Sequence, residues 1–295
     1  METLLQTGSL HTYHRKSVLF SLSNPPMEKY KHIQWVVQRN LTSQADFEGM
    51  KNACEKIGVP FIALDIIPFT SELPQFDRSR RSIIYGSTTF NALAYEDESL
   101  REGIFFDTQK FSIENYNGQW GRHMLNYEAG ICTFRELMEN RQYPGDKLLF
   151  IRPDDDSKSF AGETKRFDEI EGWFNMLIEV ENSTLSSESK IVVSEPYNIQ
   201  YEWRLSIVNK KVVAASKYRE YFKLRKEEGC PSAVVAFAEK RCLEYTPHNV
   251  FVMDVCLCGD EYLIVECGCM NGAGFYKGNI ESIISNVSDY FISIA

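Results

Sequence analysis

The chain has 295 residues, a length that suits about two domains or one large α/β domain. Hydrophobic residues make up 43% of it and charged residues 25%, and this composition excludes collagen-like, disordered and low-complexity proteins. The net charge of −9 disfavours nucleic acid as a partner, because binding a duplex polyanion requires basic stripes that this sequence lacks.

The start of the chain and its apolar segments predict a cytoplasmic protein. The polar residues Glu2 and Thr3 follow Met1 directly, and no apolar signal core comes after them. The longest wholly apolar runs contain five or six residues, far fewer than the roughly 18–20 that cross a bilayer. We therefore expect no membrane partner.

The first hundred residues alternate between strand-like and helix-like segments. Predicted strands are His32–Gln38, Pro60–Ile66 and Ser82–Tyr85, and predicted helices are Thr42–Ile57 and Phe90–Leu93. The first helix begins with polar residues and ends before Gly58. This order predicts a small parallel α/β unit of about 110 residues. The turn at Gly86 could hold an anion, but an ordinary strand-to-helix turn is the better interpretation.

The middle of the chain mixes helices and strands before it becomes rich in hairpins. Phe105–Asn117 has no clear period and is predicted to be a connector, whereas Asn126–Arg141 has helical spacing. The further predicted elements are a strand at Lys147–Arg152, a polar loop at Asp154–Gly162, a helix at Glu169–Glu179 and a strand at Ile191–Ser194.

The last hundred residues contain two predicted β-hairpins. The first joins Tyr201–Val208 to Lys211–Arg219 through the turn Asn209–Lys210. The strands of the second hairpin and the last two helices are predicted at Phe251–Leu257, Tyr262–Glu266, Ala233–Leu243 and Ile280–Ile294.

Eight cysteines stand at positions 54, 132, 230, 242, 256, 258, 267 and 269, and we expect them to be reduced. The pair Cys256/Cys258 shares a strand face with Asp254, whereas the pair Cys267/Cys269 lies on the face opposite to Glu266. If Asp254 and Glu266 face one site, the thiol pairs point to different sides of the sheet. A four-cysteine zinc site is therefore disfavoured, and ordinary buried thiols are expected.

Three groups of charged residues in the C-terminal two thirds could carry chemistry. The first combines Arg152 at a strand end with Lys158 in a loop of small residues that runs to Gly162. Two cations around such a loop suit a polyphosphate, although a surface hairpin with solvated charges explains the same pattern. The three aspartates after Pro153 would repel phosphates unless a metal or an amine lies between them.

The second group lies on the first predicted hairpin. Glu202 and Arg204 share one strand face, and Lys217 on the paired strand can sit across from them. A charged pair on an exposed sheet face is an equally good interpretation of this pattern.

The third group is formed by Asp254, Glu266 and Asn271. The hairpin lets the two carboxylates face each other from adjacent strands, and Asn271 follows five residues after Glu266. Such hard oxygen donors suit Mg²⁺, which usually takes substrate phosphates and waters as well. Glu266 ends the apolar strand Leu263–Val265, where a carboxylate is costly without a partner.

The order of these segments resembles the ATP-grasp superfamily, in particular a compact clade found in phages and bacteria. The segments that carry the resemblance are FIRPDDDSKSFAG, VVSEP, YEWRLSIVNKKVVAASKYR, FVMDV and YLIVECGCMNGAGFY. Each is weak alone, and their order and spacing make the match specific over Asn126–Tyr276. The resemblance implies an ATP-grasp fold of α/β and α+β class, with an N-terminal small parallel α/β domain at 1–115 and the ATP-grasp domain at 116–295.

The resemblance also implies a site that holds ATP between two α+β subdomains. Arg152 would replace the usual lysine on the nucleotide phosphates. The segment from Lys158 through Ser159 to Gly162 would form the mobile loop over the β- and γ-phosphates. Glu202 would reach the ribose, and the residues that bind adenine would be Glu195, Pro196 and Tyr197.

The same resemblance assigns the reacting groups. Arg204 and Lys217 would face the phosphates and the reacting carboxylate, and Mg²⁺ would be held by Asp254, Glu266 and Asn271. Most family members carry Glu-x-Asn at the last metal position, which would place an asparagine at Gly268, and this sequence offers Asn271 instead. The upstream phosphate-binding lysine of the family is not identified in this sequence.

The activity implied by the resemblance is ATP-dependent ligation of a carboxylate to an amine through an acyl phosphate, with Mg²⁺ as cofactor. The substrates would be small molecules or peptides. Three alternatives stay open: a non-catalytic nucleotide-binding protein that kept the fold, a ligase for nucleic-acid-linked groups, and a structural thiol-rich protein. Gly268 favours the first, the net charge disfavours the second, and the third leaves Asp254 and Glu266 unexplained.

Overall fold

A computed structural model of the chain describes residues 28–67, 72–107, 109–155, 159–177 and 185–294. Within these ranges, twelve strands form three sheets, and seven α-helices connect and cover them. No helix in these ranges is both long enough and apolar enough to cross a membrane.

The first sheet is parallel and has the strand order β2–β1–β3. Its strands are β1 (Ile33–Gln38), β2 (Phe61–Leu64) and β3 (Arg81–Tyr85), and its helices are α1 (Gln44–Ile57) and α2 (Thr88–Glu96). The Ser43 hydroxyl accepts a hydrogen bond from the Asp46 amide at the start of α1, and Gly58 ends that helix at φ 73°. The predicted parallel α/β unit is therefore confirmed.

The second sheet is antiparallel and has the order β4–β7–β5–β6. Its strands are β4 (Gly130–Thr133), β5 (Leu148–Pro153), β6 (Glu163–Arg166) and β7 (Lys190–Ser194). The helices of this part of the chain are α3 (Ile113–Trp120), α4 (Phe134–Asn140) and α5 (Phe167–Leu177). Residues of α4 and α5 share one apolar cluster with Leu149 and Ile151 of β5.

The third sheet is antiparallel and has the order β10–β9–β8–β11–β12. Its strands are β8 (Ile199–Val208), β9 (Lys211–Glu220), β10 (Lys223–Glu228), β11 (Val250–Cys258) and β12 (Glu261–Gly268). The last two helices are α6 (Ser232–Glu244) and α7 (Ile280–Ser293). One face of this sheet is apolar and packs against α3 and α6 through residues such as Trp203, Leu205 and Met253.

Helix α7 packs against the N-terminal sheet although it ends the chain. Ile283, Val287 and Phe291 belong to the same apolar cluster as Trp35. The Trp35 indole also donates to the Ser288 hydroxyl at 3.0 Å. The two ends of the described chain therefore share one core.

Two sequence predictions about the middle of the chain are wrong. Asn126–Arg141 does not form one helix, because β4 comes first and α4 begins at Phe134, where Thr133 and Glu136 form a capping box. The connector predicted at Phe105–Asn117 contains the first half of α3. The edge strands β6 and β10 were not predicted, since their mainly polar sequences show no alternation.

Asn271 ties the segment after β12 to the N-terminal sheet. Its amide nitrogen donates to the carbonyl oxygens of Ile84 at 2.5 Å and Gly103 at 2.7 Å. Its amide oxygen accepts from the backbone amide of Phe105 at 2.7 Å. The side chain is fully buried, so these bonds satisfy backbone groups that water cannot reach.

We expect Asn271→Ala to lower the free energy of unfolding by about 2–4 kcal/mol, because it leaves buried backbone groups without partners. Urea denaturation of both proteins measures the difference. Asn286→Ala is the control, since its amide bonds within α7 at the surface, and its expected effect is below about 0.5 kcal/mol. Equal effects of the two substitutions would contradict the structural role of Asn271.

Candidate functional site

A cavity of about 570 Å³ lies between the four-stranded and the five-stranded sheet. The charged side chains in its lining are Asp155, Glu163, Glu202, Asp254, Glu266, Arg152, Arg204 and Arg219. Five carboxylates and three guanidinium groups leave an excess of negative charge. A polyphosphate therefore needs an added cation to bind here.

Asp254 and Arg204 form a buried ion pair on the neighbouring strands β11 and β8. The Nε and Nη2 atoms of Arg204 donate to the two carboxylate oxygens, each at 2.8 Å. Burial raises the pKa of Asp254, Arg204 acts to lower it, and the adjacent Glu266 raises it. Without Arg204, an ionised carboxylate at this position, which is 3% exposed, would be strongly disfavoured.

Glu266 lies directly across from Asp254 in the pairing of β12 with β11. It accepts a hydrogen bond from Arg152 Nη2, and Arg152 Nη1 donates to the Val265 carbonyl at 3.4 Å. Because Arg152 belongs to β5, these contacts cross from one sheet to the other. The cavity thus contains both predicted carboxylates, each paired with a predicted arginine.

Glu202 is buried between Tyr218 and Arg219. The Tyr218 hydroxyl donates to one carboxylate oxygen at 2.6 Å, and Arg219 Nη1 donates to the other at 2.9 Å. The same hydroxyl lies 3.3 Å from an Asp254 oxygen, so it connects the two carboxylates. Burial raises the pKa of Glu202, while the Tyr218 hydrogen bond and Arg219 act to lower it.

Two stacked aromatic rings lie against Arg204. The ring of Tyr276 stacks on that of Tyr218, with a centroid separation of 4.8 Å and an interplanar angle of 14°. The Arg204 guanidinium lies 5.0 Å from the Tyr276 centroid. Tyr276 has a φ of 54°, which non-glycine residues rarely adopt. These contacts hold the guanidinium plane in place beside Asp254.

The opposite wall of the cavity is formed by Phe150, Tyr197 and the loop that ends at Gly162. The two aromatic rings meet edge to face, with centroids 6.0 Å apart. A Cβ atom at Gly162 would lie 3.0 Å from the Phe150 ring and 3.3 Å from the Arg152 Cβ. Glycine therefore allows the loop backbone to approach this wall closely.

Lys217 does not face the cavity, contrary to the sequence prediction. A regular two-residue hairpin would pair it with Glu202, but a bulge between Ser206 and Ile207 shifts the register, and Lys217 pairs with Trp203 instead. Its ammonium group lies 3.2 Å from Glu220 and 2.9 Å from Glu227. The one-residue shift moves the side chain to the other sheet face.

Asn271 also lies outside the cavity lining, so it does not join Asp254 and Glu266 as predicted. Its amide oxygen and nitrogen are used by the backbone of Phe105, Ile84 and Gly103. The reason is that the chain leaves the sheet after Gly268 and turns back toward the N-terminal sheet.

The residues predicted to bind adenine are only partly at the cavity. Tyr197 lines it, whereas Pro196 is exposed outside the lining and Glu195 is exposed and paired with Lys147 at 2.5 Å. Ser159 precedes the cavity-lining residues of its loop, and Lys158 lies outside the described residues.

Sequence analysis did not select Tyr218, Arg219 and Tyr276, although all three line the cavity. A second bulge, between Glu202 and Trp203, pairs Arg219 with Glu202. The two register shifts in this hairpin have no signature in the alternation of the sequence. The segment Gly274–Tyr276 was a usable signal for Tyr276, because it follows the predicted carboxylate strand closely.

The donor set at Asp254 and Glu266 fits a divalent cation that binds together with a nucleotide. Among the described residues, no group of three or more His, Cys, Asp or Glu is arranged to hold a metal. Mg²⁺ typically takes one or two protein carboxylates and completes its coordination with phosphates and waters, so two carboxylates suffice.

The fold, with a charged cleft between two antiparallel sheets, is the ATP-grasp fold. D-alanine–D-alanine ligase from Bacillus anthracis matches it with a TM-score of 0.56 at 10% identity, over 89% of this chain and 98% of that chain. A RimK domain ATP-grasp protein from Sphaerobacter thermophilus matches with 0.52 at 11%, over 87% and 98%. The ATP-grasp ligase PsnB, complexed with its minimal precursor, matches with 0.50 at 11%, over 89% and 98%.

A family model places the chain more narrowly within this fold. The model describes an ATP-grasp domain, the third family of its clade, and it matches residues 110–287, which is more than half of the chain. The chain therefore belongs to this ATP-grasp family, and the resemblance inferred from the sequence is confirmed. No curated protein sequence matches the chain.

The buried carboxylate of Glu202 predicts a pH-dependent effect of Glu202→Gln. Glutamine can still accept from Tyr218 and Arg219 but carries no charge. Since burial raises the folded-state pKa of Glu202, its contribution to stability is lost as pH rises through that value. We expect the free energy of unfolding of the variant, relative to wild type, to increase from about pH 4 to about pH 7.

Urea denaturation at several pH values measures this difference. Glu261→Gln at the exposed start of β12 is the matched control, and its difference from wild type should stay constant. A difference for Glu202→Gln that is flat or falls with pH would show that the burial of its charge does not matter.

Proposed function

We propose that the protein is an ATP-dependent carboxylate–amine ligase that works through an acyl phosphate. The observation that carries this proposal is the pairing of Asp254 with Arg204 and of Glu266 with Arg152 in one cleft between two sheets. Anionic and cationic groups that alternate in this way suit a metal-bound polyphosphate, in which both signs of charge occur.

In this proposal the nucleotide lies between the two sheets. Arg152 contacts its phosphates, and the loop from Lys158 through Ser159 to Gly162 covers them. Tyr197, with the neighbouring Glu195 and Pro196, binds the adenine, and Glu202 binds the ribose. Support comes from the aromatic wall around Phe150 and from the close approach that Gly162 allows.

The proposed reaction has two steps. A substrate carboxylate oxygen attacks the γ-phosphorus, the bond from that phosphorus to the β–γ bridging oxygen breaks, and ADP leaves. An amine then attacks the acyl carbon, phosphate leaves with the bonding electrons, and the nitrogen loses a proton to give the amide. Positioning and charge neutralisation provide most of the rate enhancement in such phosphoryl transfers.

The residues in the cleft supply that neutralisation. Arg204 faces the charge that develops on the transferring group, and Asp254 holds the Arg204 guanidinium in a fixed plane. Asp254 and Glu266 would hold Mg²⁺, which supplies a positive charge next to the phosphates when it is bound. The cavity has more carboxylates than guanidinium groups, and this excess supports a requirement for the cation.

The substrate carboxylate and amine belong to small molecules or peptides in our proposal. PsnB in its structure is complexed with a minimal precursor, and the Bacillus anthracis ligase is named for D-alanine. We also propose the cytoplasm as its location and a division into domains 1–115 and 116–295. Helix α7 lies in the second of these and packs on the first.

We predict that Glu266→Gln and Asp254→Asn each lower ATP-dependent ADP release by at least about 100-fold, because the cation loses a charged ligand. A coupled ADP assay with a panel of carboxylates and amines measures turnover, and circular dichroism checks the fold. Asp254→Asn also removes the counter-charge of Arg204, so Glu266→Gln is the cleaner test.

Glu261→Gln serves as the control, because this exposed glutamate lies on the same hairpin but outside the cavity. It should release ADP at the wild-type rate. ADP release that persists in both cavity variants would remove the metal-binding role from the proposal.

A non-catalytic nucleotide-binding protein is the second candidate, and one observation favours it. Gly268 stands where most family members carry a metal-binding asparagine, and Asn271 is committed to the backbone of the N-terminal sheet. The cation would then have fewer protein ligands than in an active ligase.

Binding and turnover measured side by side separate these candidates. We predict that the wild type binds a magnesium complex of a non-hydrolysable ATP analogue in calorimetry and also releases ADP when carboxylate and amine substrates are present. Tight binding with no ADP across the whole substrate panel would favour the non-catalytic protein.

A further inference from the structure

Asn126 is a buried polar residue to which the described parts of the chain offer no hydrogen-bond partner. Its side chain is 1% exposed, and neither the amide nitrogen nor the amide oxygen is bonded. An unsatisfied buried amide costs about 1–3 kcal/mol, so its presence needs an explanation.

The local fold does not depend on this side chain. The Leu125 backbone amide donates to the Ile264 carbonyl at 2.8 Å, which fixes the segment along β12. The Asn126 carbonyl accepts from the Asn117 side chain and from the Ala129 backbone, each at 3.1 Å. Main-chain atoms therefore hold the loop, and an apolar side chain of similar size would satisfy the fold better than an amide.

The position of Asn126 supplies the explanation. Together with Arg152, Val265 and Glu266, it lines the cavity between the two sheets. The parallel bridge between Met124 and Ile264 directs its segment along β12 toward Glu266. The unsatisfied amide thus belongs to the wall where the carboxylate and guanidinium groups are found.

We propose that Asn126 binds the nucleotide directly and donates its amide hydrogens to oxygens of the triphosphate. This inference rests on the proposed function and adds a residue to it. Phosphate oxygens close to Glu266 need donors, and Arg152 already donates to Glu266 and to the Val265 carbonyl. A neutral amide adds two donors without changing the charge of a cavity that already has carboxylates for a cation.

The test compares Asn126→Leu and Asn126→Asp with wild type in the full-length protein. The probe is magnesium with AMPPNP, a non-hydrolysable ATP analogue, and the measurements are calorimetric affinity and the melting temperature without ligand. Asn91→Leu is the matched control. Its amide oxygen is also unsatisfied, its nitrogen donates to the Gly86 carbonyl at 3.2 Å, and it does not line the cavity.

We expect Asn126→Leu to weaken AMPPNP binding by about ten-fold or more, while the melting temperature of the ligand-free protein stays equal or rises. Asn126→Asp should weaken binding at least as much, because it loses the donors and adds a negative charge. Asn91→Leu should bind AMPPNP as wild type does.

Three results would overturn the inference while leaving the proposed function in place. These are unchanged AMPPNP affinity in Asn126→Leu, a lower melting temperature that accounts for all the lost binding, and tighter binding by Asn126→Asp with a lower magnesium requirement. The last would make the amide oxygen a metal ligand. Failure of the wild type itself to bind AMPPNP would overturn the proposed function and this inference with it.

Discussion

The bidentate pair between Arg204 and Asp254 is the interaction on which the cleft depends. A carboxylate that water barely reaches shifts toward its neutral form unless a cation lies beside it, and Glu266 on the next strand adds to that tendency. Arg204 and Arg152 each compensate one of these carboxylates from a different sheet. The cleft therefore keeps opposite charges close together without a ligand, in the arrangement that a metal-bound polyphosphate also has.

Alternation along the strands separates this chemistry from the core. On β8, Trp203 and Leu205 point into the apolar cluster under α3 and α6, while Glu202 and Arg204 point into the cleft. A sheet with one apolar and one charged face gives each carboxylate a rigid support, because its neighbours along the strand are fixed by packing. The other support is the core shared by α1 and α7, which connects the two ends of the described chain.

The same alternation explains what could be predicted from the sequence. Glu202, Arg204, Asp254 and Glu266 were placed on one face correctly, because a period of two along regular strands needs no further information. Lys217 was placed wrongly, because a bulge earlier in the hairpin reverses the parity of the residues that follow it. Bulges depend on twist and on packing against neighbouring elements, which alternation does not encode. The helix predicted over Asn126–Arg141 failed for a different reason, since apolar spacing outweighed the capping box at Thr133.

Asn271 and Asn126 show why residue type alone could not identify the rest of the site. Both are asparagines with 1% exposure, and both lie near β12. Asn271 has both of its amide atoms bonded to backbone groups, so it stabilises the fold and has no capacity for a ligand. Asn126 has neither atom bonded, so its amide costs free energy in the ligand-free protein. The number of satisfied hydrogen bonds therefore distinguishes a structural amide from a ligand-binding one, and that number becomes known only when the three-dimensional neighbours of each side chain are known.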